Sequence, residues 1–201
     1  MEEKSLNEKE SLELITRMIQ NTQNRLVGNE GMPFLIWGYI TVAVTIAVGL
    51  VLTLTQNYLW NGLWFAIPVL GWILTILFNK KTETGIKTYV DKVVWYVWIV
   101  IGIGCVLSAA LCILNNLQMH ILFIELLLVG SGAAITGLVI EFKAVTIGGF
   151  IGMALAFLML FIAFEKMVVI LAVFVAAFIV MMIIPGHILN HAARQQVKKA
   201  R

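Results

Sequence analysis

The chain has 201 residues, of which 61% are hydrophobic and 12% charged, with a mean hydropathy of +0.96. Soluble domains carry about 25% charged residues, and so short a chain has too little interior to hide this much apolar surface, so a water-soluble globular fold is excluded. The net charge of +3 is small, and no nucleic-acid partner is expected.

The apolar residues come in continuous runs long enough to cross a bilayer as helices. A membrane β-barrel would instead alternate polar and apolar residues in short segments. The expected fold is all-α: a polytopic membrane protein with six transmembrane helices, preceded by a cytoplasmic amphipathic helix.

Residues 1–31 form the soluble segment. They are polar and acidic, with no early apolar run, so no cleavable signal peptide is expected, and Glu2 stands where myristoylation requires glycine. Asn7 with Glu10, or Ser5 with Glu8, has the spacing of a capping box. Leu12, Ile15, Ile19, Thr22 and Leu26 then recur at helical spacing, and Glu13 pairs with Arg17 four residues on. Six acidic residues face four basic ones here. Lipid-binding surface helices are rich in Lys and Arg, so the stripe is expected to meet protein. Leu12, Ile15, Ile19 and Leu26 would be its anchors on a cytoplasmic partner or a second copy.

Six apolar runs follow, at 33–55, 59–78, 93–114, 119–140, 144–164 and 167–184, within a transmembrane unit spanning 32–186. Pro33 suits a first helical turn, Pro68 is expected to kink the second helix, and Pro185-Gly186 to end the sixth. A basic cytoplasmic tail, 187–201, closes the chain. Orientation follows from Lys and Arg placement. With the N-terminus cytoplasmic, thirteen of these residues lie inside and only Lys166 outside, so both termini are expected in the cytoplasm. Aromatics agree, with Trp37 and Tyr39, then Trp60 and Trp64, then Trp95, Tyr96 and Trp98 near helix ends.

Helices in lipid associate where small residues let backbones approach. The first helix offers Gly38, Thr41, Thr45, Gly49 and Thr53, the third Gly104, Ser108 and Cys112. The fourth offers Gly132, Ala133 and Thr136, the fifth Gly148, Gly152 and Ala156. The sixth has only Ala172 and Ala176 and is expected at the periphery.

Glu125 is the one charged residue inside a long apolar run. An intramembrane carboxyl is costly and marks a candidate functional site. It sits about 9 Å below the outer surface at helical rise. Ser108, Cys112 and Trp64 fall at similar depth as candidate partners. Gly132 and Thr136 share its helix face, while His120, five residues away, is off-face. The candidate proton or ligand site is therefore Glu125, Ser108 and Thr136. The plainest role is a protonated Glu donating one interhelical hydrogen bond; the functional one is proton or cation handling.

Other constellations carry less. His187 and His191 are four apart, but a metal site needs three or four ligands and no third is evident. Cys105 and Cys112, seven apart on one helix, are too distant for a bridge and read as small core hydrophobes. The basic tail suits anionic headgroups. No phosphate-binding glycine loop, HExxH or Ser-His-Asp set occurs, so neither an enzyme nor a cofactor is expected.

The stretch NEKESLELITRMIQNTQNRL followed by GMPFLIWGYITV, with TYVDKVVWYVW and HILFIELLLVGSGAAITGLVI, resembles a family of small uncharacterised bacterial multi-pass membrane proteins. The resemblance covers most of the chain. It implies a bacterial inner membrane and carries over no activity and no residue roles. The expectation is a non-enzymatic membrane protein whose cytoplasmic helix docks a partner or second copy. The alternatives are a small proton-coupled transporter using Glu125 and a purely structural or assembly protein.

Overall fold

The computed structural model describes residues 13, 31–79, 89–114, 121–162 and 166–199. The expected docking helix, with Leu12, Ile15, Ile19 and Leu26, lies outside the described residues apart from Glu13, which is helical.

Every element among the described residues is helical. In order they are α1 (Gly31–Thr55), a 3-10 segment (Tyr58–Phe65), α2 (Ala66–Asn79), α3 (Tyr89–Leu114), α4 (Ile121–Val139) and α5 (Lys143–Met159). Then come α6 (Met167–Phe178), a π-helical turn (Ile179–Ile183) and α7 (Ile184–Lys199). Among the described residues, five helices are long and apolar enough to cross a membrane: Gly31–Thr55, Leu59–Phe78, Tyr89–Cys112, Ile121–Val139 and Met167–Ala192. Lys143–Met159 is apolar but shorter. The outer surface carries large exposed side chains such as Leu54, Val69, Ile76, Val100, Leu107 and Phe157. So continuous an apolar exterior suits acyl chains rather than water.

The turns follow from helix-end chemistry. At the end of α1, Gln56 adopts a left-handed conformation (φ 51°) and its N–H donates to the Leu52 carbonyl at 3.0 Å, closing the helix with a single backward bond. Asn57 then caps the 3-10 segment, its Oδ1 accepting from the Leu59 N–H at 3.0 Å. Between α4 and α5, Glu141 is left-handed (φ 56°). The Phe142 N–H donates to the Gly137 carbonyl at 2.9 Å and the Glu141 N–H to the Leu138 carbonyl at 3.3 Å. That pair of bonds is a Schellman motif, with glutamate where glycine is usual. It folds α5 back on α4 with no intervening loop.

The α4–α5 hairpin is the closest helix pair. A Cβ on Gly149 would lie 2.7 Å from the Ala134 Cα and 2.8 Å from the Gly130 carbonyl oxygen. One on Gly137 would lie 2.6 Å from the Thr146 Oγ1. Backbone thus meets backbone along two turns, as small-residue seams in lipid allow.

Two expectations about the last helix are overturned. It does not stop at Pro185-Gly186, because the chain stays helical from Met167 to Lys199. Proline lacks an N–H, and its ring crowds the carbonyl four residues back. Here the π turn just ahead of Pro185 widens the spiral, and the Ile184 N–H bonds the carbonyl of Ile179, five residues back. Residue 185 has no N–H to give, so neither i+4 nor i+5 serves the Val180 carbonyl. That carbonyl faces Gly148, where a Cβ would come within 3.0 Å of its oxygen.

Nor is this helix peripheral. Ile170, Leu171, Phe174, Phe178, Met181, Met182 and Leu189 are all buried, so α6, the π turn and α7 form the central rod. A seam needs small residues on one side only. Gly38 of α1 receives Ile183 and Met182, Gly49 receives Leu171, and Gly152 of α5 receives the Met181 sulfur. The large side chains of the rod fill the notches of its neighbours. The outer positions belong to α2 and α3, whose apolar side chains are mostly exposed.

Pro68 does not kink a continuous helix either. The run 59–78 changes from 3-10 to α at Ala66, which places Pro68 in the first turn of α2, where backbone N–H groups lack intrahelical partners anyway. α2 is held to α1 by the Trp37 ring, which lies over Gly71 and donates its Nε1–H to the Thr75 Oγ1 at 3.2 Å.

Candidate functional site

The register of α3 against α4 decides what Glu125 meets. Ile101 packs on Gly132, where a Cβ would lie 3.1 Å from Cγ1, and Leu128 packs on Gly104, where a Cβ would lie 3.3 Å from Cδ1. Each step of three or four residues up α3 is matched by a similar step back along α4, as antiparallel helices require. The next step pairs Ser108 with Glu125. Both are half-buried, so the site sits in a seam at the flank of the bundle.

Ser108 Oγ stands 2.6 Å from Glu125 Oε1 and 2.9 Å from the Cys105 carbonyl oxygen one turn back. The Cys105 thiol lies close to the same carboxyl. The groups beside the carboxyl are thus neutral, a hydroxyl bonded to it and a thiol nearby.

The hydrogen count constrains the chemistry. A serine hydroxyl has one hydrogen and can donate once. If Ser108 donates to a Glu125 carboxylate, its contact with the Cys105 carbonyl is left without a proton. If it donates to that carbonyl, the 2.6 Å contact is a bond only when Glu125 carries its own proton and donates it to Ser108 Oγ. Both short contacts are satisfied together only in the protonated form. Losing the proton turns the Ser108 hydroxyl to the carboxylate, which keeps the bond between α3 and α4 and leaves the Cys105 carbonyl contact within α3 unfilled.

The structure brings Ser108 to Glu125 but not the other candidates. Thr136 is fully buried with its Oγ1 unpartnered. It lies eleven residues along α4 from Glu125, roughly 16 Å at helical rise, so it belongs to a different level of the bundle. Trp64 packs edge-on against Phe174, ring centroids 6.0 Å apart, and Cys112 is half-buried on α3. The third member of the cluster is Cys105. Its place was readable from spacing, since Cys105, Ser108 and Cys112 fall at i, i+3 and i+7 on one helix face.

Two threonines of α1 bond back into their own helix. Thr45 donates to the Thr41 carbonyl at 2.7 Å and Thr55 to the Val51 carbonyl at 2.7 Å; each hydroxyl is satisfied within its own helix. His187 bonds the Tyr39 hydroxyl at 2.8 Å, bridging α7 and α1. Among the described residues no group of three or more His, Cys, Asp or Glu side chains is placed to hold a metal ion. Comparison with protein-family models, with curated proteins and with solved structures found no match to this chain.

Proposed function

We propose that this is a multi-pass protein of a bacterial inner membrane, with both termini cytoplasmic, in which Glu125 exchanges a proton and so controls how α3 sits on α4. The function this supports best is proton-coupled movement of small hydrophobic or cationic solutes. Support comes from one observation above the rest: Ser108 stands within hydrogen-bond distance of both Glu125 and the Cys105 carbonyl, with one hydrogen to serve them. α3 lies at the edge of the bundle with much of its outer face exposed, so a change of hydrogen-bond partner at this seam acts on an outer helix. A carboxylate freed of its proton is a site where a cation can take the proton's place. Orientation is supported by the thirteen Lys and Arg residues that fall on one side against one on the other.

The experiment uses purified protein in liposomes with an imposed pH gradient, and ethidium and tetraphenylphosphonium as probes. Wild-type protein should move at least one of them, Glu125→Gln should abolish coupling to the gradient, and Ser108→Ala should weaken it. Transport unaltered in Glu125→Gln removes the carboxyl from any mechanism. No gradient-driven movement by wild-type protein reduces Glu125 to a structural hydrogen bond.

A second role for residues 7–26, as a docking helix for a cytoplasmic protein or a second copy, is supported by the net acidic character of the segment and its stripe of Leu12, Ile15, Ile19 and Leu26. Deleting residues 1–28 should change the oligomeric state or the co-purifying proteins. An unchanged profile ends that role.

A further inference from the structure

Away from Glu125, an open groove of about 200 Å³ runs between α5 and the last helix. Its walls are Ile147 and Ile151 on one side and Ile184 and Ile188 on the other; its floor is Gly148 and Pro185. The groove exists because the floor is low. Gly148 has no side chain, and Pro185 with the π turn beside it sets the last helix close against that glycine. The four isoleucines stand around this floor with 40 to 58% of their surface exposed.

One end of the groove is charged. Ala144 lines it, and the residue before Ala144 is Lys143, exposed at the first position of α5. On the opposite wall His191, also exposed, lies three residues beyond Ile188. Phe142, at the helix start, supplies no side-chain cap, so the positive end of the helix dipole is not capped by it. The carboxylate of Glu141 lies in the same turn and opposes this field.

We infer that the groove seats one phospholipid with an anionic headgroup, its acyl chain lying between the isoleucines and its phosphate beside Lys143. An apolar channel open to the bilayer with a cation at its mouth is complementary to that molecule and to few others. A zwitterionic lipid brings the same chain but gains less from the lysine. The inference rests on the membrane reading and not on Glu125, so Glu125→Gln should leave it untouched.

The test is native mass spectrometry of detergent-purified protein titrated with phosphatidylglycerol or phosphatidylcholine. Wild-type protein should retain phosphatidylglycerol in preference. Lys143→Gln should cut that preference about five-fold, the weight of one lysine beside an anionic surface; Glu141→Gln should raise it. Ala144→Phe, which fills the groove from its mouth, should lower retention of both lipids, and glycerol 3-phosphate in excess should not displace the lipid. Equal retention of the two lipids by wild-type protein overturns the inference. So does full retention in Ala144→Phe, or displacement by glycerol 3-phosphate. A shift in the monomer–dimer ratio of Ala144→Phe with lipid retention unchanged means that a second copy fills the groove, and also overturns it. Lys143 is exposed, so its variant reads the headgroup contact even if Ala144→Phe fails to fold.

Discussion

Replacing Gly149 by alanine should separate α4 from α5. The new methyl would stand 2.7 Å from the Ala134 Cα and 2.8 Å from the Gly130 carbonyl oxygen, where ordinary contact begins at 3.4 Å. Both obstacles are backbone, as is the still nearer Ala134 nitrogen, so no rotamer change relieves them and the helices must part along the seam. Overpacking of this kind costs about 1–3 kcal/mol. Alanine's better helix propensity returns at most about 1 kcal/mol. The net change then runs from about zero to a loss of about 3 kcal/mol, and the clash itself, about 1–3 kcal/mol, is read against a glycine that gains the same propensity without it. Gly102 supplies the control, because a Cβ there meets nothing within 4 Å. Gly102→Ala should be neutral or stabilising by up to about 1 kcal/mol. Equilibrium unfolding in mixed micelles, followed by circular dichroism, measures both. If the two variants agree within about 0.5 kcal/mol, the size of an ordinary surface effect, the backbone-to-backbone account of the α4–α5 seam is wrong.

Other predictions follow from single contacts. Glu141→Gly should stabilise the protein by up to about 1 kcal/mol in the same assay, because a left-handed residue with a Cβ costs about 1–2 kcal/mol and glycine gives part of that back in unfolded-state entropy. Met181→Ala should cost about 2 kcal/mol, the low end of the buried Met→Ala range, since lipid is as apolar as the core and only lost packing counts; Leu107→Ala on the exposed face of α3 should change stability by less than about 0.5 kcal/mol. A double-mutant cycle of Ser108→Ala with Glu125→Ala should give a coupling of at least about 0.6 kcal/mol and at most about 1.7, the mean and the maximum found for interhelical hydrogen bonds in membranes. A coupling near zero would mean the 2.6 Å contact holds nothing together.

Length and hydropathy were enough to find the apolar helices, because a run such as Phe34–Thr55 or Val168–Ile184 has no other economical solution. Less local features were not legible. Pro185 reads as a terminator to any rule that counts bonds in α register, and the π turn that accommodates it lies against Gly148 and Gly152 of another helix. The rod Met167–Lys199 looked peripheral because it lacks small residues, yet its Leu171, Met181 and Ile183 are the large halves of seams whose small halves, Gly49, Gly152 and Gly38, lie on other helices. The α4–α5 break at 141–143 was read from the two apolar runs, but the form of its turn was not, because its left-handed position holds Glu141 rather than glycine. Ser108 was legible as a partner of Glu125 because depth along two neighbouring antiparallel helices can be counted. Cys105 was missed because a thiol among aliphatic residues reads as a hydrophobe, although its spacing from Ser108 puts it on the same helix face.

Infrared difference spectroscopy of the protein in lipid vesicles, scanned over pH, bears most directly on Glu125. Wild-type protein should show a carboxyl band that comes and goes with pH, is absent from Glu125→Gln, and moves in Ser108→Ala as its hydrogen-bond partner is lost. A difference spectrum with no pH-dependent carboxyl band assignable to Glu125, or one indifferent to Ser108→Ala, would contradict a proton-exchanging Glu125–Ser108 pair.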